Sequence, residues 1–68
     1  NNTDMIGKLI KFNGGEFIIT ETKIFKGIKI ISQIQRVTEP KIKIGCYQSG
    51  NKLKLMGWND YKPFELIN

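Results

Sequence analysis

The stretch from Lys41 to Gly57, KIKIGCYQSGNKLKLMG, decides the fold class. Lysine and isoleucine alternate from Lys41 to Ile44, and lysine and leucine alternate from Lys52 to Leu55. A period of two is the mark of a strand with one face buried. Ile42, Ile44 and Cys46 are expected inward on the first strand, with Leu53 and Leu55 inward on the second. The polar run Gln48-Ser49-Gly50-Asn51 between them reads as a turn. A four-residue turn there would set Cys46 against Leu53 and Ile44 against Leu55. The outward pairs would then be Tyr47 with Lys52, Gly45 with Lys54, and Lys43 with Met56.

The same pattern runs through the rest of the chain. From Met5 to Phe12 it puts Ile6, Ile10 and Phe12 on one side, and Asn13-Gly14-Gly15 is a hairpin signal because Asn and Gly accept positive φ. Glu16 to Thr22 returns. A two-residue loop pairs Ile10 with Phe17, and a four-residue loop pairs Phe12 with Phe17. Either register puts Ile10, Phe12, Phe17 and Ile19 on one face, so this part of the core does not depend on the turn. Lys23 to Thr38 is ambiguous. Ile28, Ile30 and Ile34 alternate as a long strand, whereas Ile24, Ile28, Ile31 and Gln35 stand at helical spacing. Gly27 and the density of β-branched isoleucine disfavour a helix over residues 22–36. A strand this long needs a bend, expected near Ser32-Gln33 where the alternation falters. Lys23-Ile24-Phe25-Lys26 is apolar where a turn should be polar. It is expected to fold over an open barrel end as a lid, or else to form an exposed patch for a partner. Glu39-Pro40 ends the long element. Gly57 to Lys62 is a loop, and a last strand from Phe64 to Ile67 should turn Phe64 and Leu66 inward.

About five or six short strands in 68 residues predict an all-β chain closed into a small SH3-like barrel. An OB-like barrel, or an α+β fold with a helix near residues 22–36, are the alternatives. The layout of short strands followed by Gly57-Trp58, a loop and Pro63-Phe64-Glu65-Leu66-Ile67 resembles SH3-like barrels in general. That resemblance implies a fold and no function. Residues 5–68 are expected to form one domain, with 1–4 a disordered or appended tail.

Composition removes most chemistry. The chain has no histidine and one cysteine, which leaves neither a base for a nucleophile nor the ligand set of a structural zinc site. Cys46 alternates with Ile42 and Ile44 and reads as a buried packing thiol. Glu16, Glu21, Glu39, Asp60 and Glu65 are scattered singly, unlike the facing carboxylates of a glycosidase. Gly14-Gly15 lacks the Gly-Lys-Ser/Thr of a phosphate loop. The expectation is a non-catalytic protein without cofactor or metal. One unpaired cysteine suits the cytoplasm, and no apolar run is long enough to span a bilayer. A core this small is marginal, so self-association would add buried surface.

The net charge is +5, which suggests a polyanionic partner. Ten of the eleven basic residues are lysine and alanine is absent, a bias that AT-rich coding also produces. The outward face of the Lys41–Gly57 hairpin nevertheless gathers Lys41, Lys43, Tyr47, Lys52 and Lys54, with Trp58 and Tyr61 on the next loop. Lysines attract phosphates and exposed rings stack on bases, so these seven residues are the expected site for DNA or RNA. The competing expectation is a protein-interaction or inhibitor module that binds a host or other partner protein. It would use Ile24, Phe25, Trp58 and Tyr61, as in an aromatic groove. Small size and AT-rich composition are also features of short phage or mobile-element reading frames.

Overall fold

A computed structural model of the chain describes residues 5–67; the tail expected over residues 1–4 lies outside them. Six strands follow one another: β1 (Leu9–Phe12), β2 (Gly15–Phe25), β3 (Ile28–Arg36), β4 (Lys43–Ser49), β5 (Lys52–Leu55) and β6 (Lys62–Leu66). Each pairs antiparallel with the next, and β6 returns to β1, closing a six-stranded barrel. This is the all-β small-barrel architecture expected from the alternation. The helical alternative over residues 22–36 is wrong: β2 and β3 occupy that segment, as the density of β-branched isoleucine requires.

Three two-residue turns set the registers. Asn13-Gly14 (φ 53° and 81°) joins β1 to β2, and Lys26-Gly27 (φ 52° and 80°) joins β2 to β3. Both have positive φ at both centres, the geometry that matches strand twist. Gly50 (φ 62°) and Asn51 join β4 to β5. The four-residue turn expected there is therefore corrected. Gln48 and Ser49 belong to β4, Cys46 faces Leu55, and Tyr47 faces Lys54. Moving the register by two residues preserves the faces, so Cys46, Leu53 and Leu55 still point inward.

The core consists of Ile10, Phe12, Ile19, Ile31, Ile34, Cys46 and Leu53, with Met5, Phe17, Ile44, Leu55, Trp58 and Phe64 packed around it. Ile6, Ile42 and Leu66, expected inward, are exposed; Ile6 precedes β1 and Ile42 precedes β4, outside the alternation. In β3 Ile31 and Ile34 are buried, three residues apart rather than two, and Ile28 is exposed. The cause is a double irregularity. Thr20 is an extra residue on β2 between the pairs Ile19↔Ile34 and Glu21↔Gln33. Ser32 is an extra residue on β3 between Glu21↔Gln33 and Thr22↔Ile31. Each bulge reverses the alternation on its own strand, so Thr22 and Ile31 turn inward while Lys23, Phe25, Ile28 and Ile30 turn outward. Side chains stitch the step: Thr20 Oγ1 donates to Gln33 Oε1 at 2.9 Å, and Ser32 Oγ donates to Glu21 Oε1 at 3.2 Å. The bend expected at Ser32-Gln33 is present, with a partner on β2.

Cys46 is buried, and its thiol donates to the Ile31 carbonyl at 3.8 Å. Burial disfavours the thiolate and pushes the thiol from 9.0 up to about 11. Because the folded value exceeds the unfolded one, the contribution is complete below pH 9 and is lost as pH rises through 11. Native protein is expected to resist thiol reagents at pH 8 and to react on unfolding. Denaturant titrations should show wild type losing more stability than Cys46→Ala between pH 9 and 11.

Candidate functional site

The two-residue β4–β5 turn creates a feature that the expected register would not. Tyr47 on β4 stands opposite Lys54 on β5. Pairing of β5 with β6 at Lys52↔Pro63 and Leu53↔Lys62, continued by one residue, brings Tyr61 to the other side of Lys54. Lys54 Nζ lies 5.6 Å from the centre of the Tyr47 ring and 5.0 Å from that of Tyr61, within cation–π range of both. The rings remain 45% and 38% exposed. Tyr47, Lys54 and Tyr61 thus form a row across three segments of the barrel wall. Lys52 lies on the same outward face, opposite Ser49 and Pro63. Lys43 faces Gln35 at the border with β3, and Lys41 is exposed just before β4.

Charge is divided between the walls. On β1, Lys11 has Glu16 as its neighbour on one side and Glu65 on the other, an arrangement in which opposite charges offset each other. No acidic residue occurs from Pro40 to Asn59, a segment that contains both β4 and β5 and carries Lys41, Lys43, Lys52 and Lys54. The lysines of that wall face solvent without a carboxylate on their own strands.

Trp58 stands apart from the tyrosine row. Its ring stacks on Phe12, centroids 5.6 Å apart at 30°, and packs against the core. Lys62 Nζ lies 5.6 Å from the centre of the same ring. With Asn59, Asp60 and Lys62 it borders a recess of about 240 Å³, separate from the surface of Tyr47 and Tyr61.

Ile24 and Phe25 do not form a lid. β2 and β3 continue past the bulges as a two-stranded ribbon, on which Ile24, Phe25 and Ile28 are 64%, 56% and 64% exposed. Ile24 shares a face with Lys29, whereas Phe25 shares the other with Ile28. Lys23, Phe25 and Ile30 on that second face border a cleft of about 300 Å³, with Tyr47, Gln48 and Tyr61 on its far side. Of the four residues in the protein-interaction expectation, Phe25 and Tyr61 border this cleft, and Ile24 and Trp58 do not. Lys23, Ile30 and Gln48 are absent from the sequence-derived site. The Lys26-Gly27 turn was the signal for the first two, because it extends the hairpin and pairs Lys23 with Ile30. A larger depression of about 490 Å³ lies over the β1–β6 seam, where Lys11 and Glu65 face each other.

The cleft exists because β3 parts from β4. Their pairing spans only Gln33–Gln35 of β3. Beyond it the Ile31 backbone N–H donates to Gln48 Oε1 at 2.8 Å, and Gln48 Nε2 donates to the Gly50 carbonyl at 2.8 Å. One amide side chain thus ties the root of the ribbon to the β4–β5 turn. Among the described residues no group of acids and cysteine is placed to hold a metal ion, and no helix is long and apolar enough to cross a membrane.

Gln48→Ala removes the acceptor of Ile31 and is expected to destabilise the fold by about 1–3 kcal/mol. Amide exchange at Ile31 should accelerate more than at Ile19 in the barrel wall; equal acceleration would assign Gln48 no special role at the ribbon root. No protein-family model matches the chain, and no curated protein or solved structure matches it either.

Proposed function

We propose that the chain is a non-catalytic nucleic-acid-binding barrel whose contact surface is the β4–β5 wall. The observation that carries this reading is the Tyr47–Lys54–Tyr61 row on an acid-free wall, with Lys11 flanked by Glu16 and Glu65 on β1. Lysines spread only by coding bias have no reason to separate from the acids in this way. Phosphates approaching the wall meet Lys41, Lys43, Lys52 and Lys54, and the two tyrosines offer exposed ring faces for stacking. The scarcity of arginine favours backbone and ring contacts over bidentate reading of base edges, so weak sequence preference follows. The unpaired thiol of Cys46 supports work in a reducing compartment such as the cytoplasm.

The exposed Ile24, Phe25 and Ile28 support a second reading, a protein-interaction or inhibitor module of phage or mobile-element type that docks a partner on the ribbon. Salt separates the two. Binding to a mixed oligonucleotide pool should weaken steeply between 50 and 200 mM salt, and Lys54→Ala should lower the log–log slope by about one. Tyr47→Ala or Tyr61→Ala should each cost about 1–3 kcal/mol if a base stacks there. No binding at the low-salt end, or a slope indifferent to Lys54, would count against the nucleic-acid reading. Capture of a partner protein that is lost on Ile24→Ser would favour the second.

A further inference from the structure

We infer that the cleft between the ribbon and the barrel receives an unpaired nucleobase, which makes single-stranded nucleic acid the preferred ligand class. The inference rests on the nucleic-acid reading of the β4–β5 wall and extends that site to residues on a different hairpin. Three aromatic rings border the cleft: Phe25 from the ribbon, and Tyr47 and Tyr61 from the barrel. Its volume of about 300 Å³ matches the lower end of clefts that hold small molecules. No acid lines it, and a cation accompanies each ring. Lys54 lies over both tyrosines, Lys26 Nζ lies 5.4 Å from the Phe25 centroid, and Lys23 is part of the lining. That charge suits a polyanion, with phosphates at the lysines and a ring between the aromatics.

The geometry also chooses between strands and duplexes. In a duplex the base faces are stacked on one another, so only phosphates, sugars and groove edges are offered. A single strand can turn a base outward, where aromatic side chains take it up. A flat lysine wall would bind both forms. A recess with rings on both of its walls rewards only the one that can send a base inward. Ile30 supplies the aliphatic part of the wall, and Gln48 already has a bond at each end of its amide, to Ile31 and Gly50. The cleft therefore offers a base mainly ring and aliphatic surface.

The test compares a fluorescently labelled thymidine oligomer with the same strand annealed to its complement, at low salt. The single strand is expected to bind at least tenfold more tightly. Phe25→Ala should weaken the single strand by about 5-fold to 150-fold, the range for one stacked base, and leave duplex affinity within about twofold. Ile24→Ala, on the opposite face of the ribbon, should change neither. Phe25 and Ile24 are both largely exposed, and unchanged thermal unfolding of the variants would exclude a folding defect. Equal affinity for strand and duplex, or a Phe25→Ala effect common to both, would overturn the inference while leaving a basic binding wall in place. Absence of any binding by either form would overturn the nucleic-acid reading itself. Single-strand affinity unchanged in Phe25→Ala, with binding of an aromatic-rich peptide lost in the same variant, would overturn the assignment of a base to the cleft in favour of a peptide side chain.

Discussion

The arrangement depends on a pair of bulges that cancel. Thr20 is surplus on β2 and Ser32 is surplus on β3, and after both the hairpin resumes the pairing sum it had before. A single bulge would have slipped the strands past each other and misaligned the turn. Two opposed ones keep the register but exchange inside for outside on both strands at the same level. Below the step the hairpin contributes Ile19 and Ile34 to the barrel. Above it the hairpin contributes Ile31 to the core and turns Lys23, Phe25 and Ile30 toward the tyrosines. The same hairpin is thus a barrel wall at one end and one side of a cleft at the other.

The polar residues at this step are there for physical reasons. A bulge interrupts the ladder, and a polar side chain buried there without a partner is costly. Thr20, Gln33, Ser32 and Glu21 bond one another across it, and no buried side-chain nitrogen or oxygen among the described residues lacks a partner. Where β3 leaves β4, Gln48 accepts from the Ile31 amide and the Cys46 thiol donates to the Ile31 carbonyl. Side chains of β4 replace the missing ladder at the one residue where the strands separate. Among the described residues the buried polar one is Ser32, at the bulge, with its hydroxyl bonded to Glu21.

The barrel was legible because alternation is a local property that survives errors of register. Ile10, Phe12 and Ile19 could be assigned to the core before the turn was known, and Cys46 and Leu53 kept their faces when the β4–β5 turn proved shorter. What could not be read was anything that depends on which residue faces which. The Tyr47–Lys54–Tyr61 row needs the two-residue turn, and Gly50 at positive φ was hidden inside a run of four plausible turn residues. The reversal that puts Ile31 inward beside Ile34, with Ile28 and Ile30 outward, is not visible in the sequence, where the faltering alternation at Ser32-Gln33 signals a bend but not the extra residue that causes it. Ile24 and Phe25 looked misplaced only while the chain was thought to turn there. Once Lys26-Gly27 is the turn, they are ordinary strand residues on a ribbon with no barrel beneath it. Trp58, expected on both binding surfaces, stacks on Phe12 and packs against the core.

The cancelling bulges also make the ribbon a separable length of structure. Beyond Thr22↔Ile31 the pairs are regular as far as the turn, so two residues removed from each strand would draw the tip back while every remaining side chain kept its face. At about 3.4 Å per residue such a step shortens the arm by roughly 7 Å. The reach of the arm can therefore vary without disturbing the core it grows from. In a chain with so little interior to spare, that lets this edge change shape while the stability of the barrel is left to other residues.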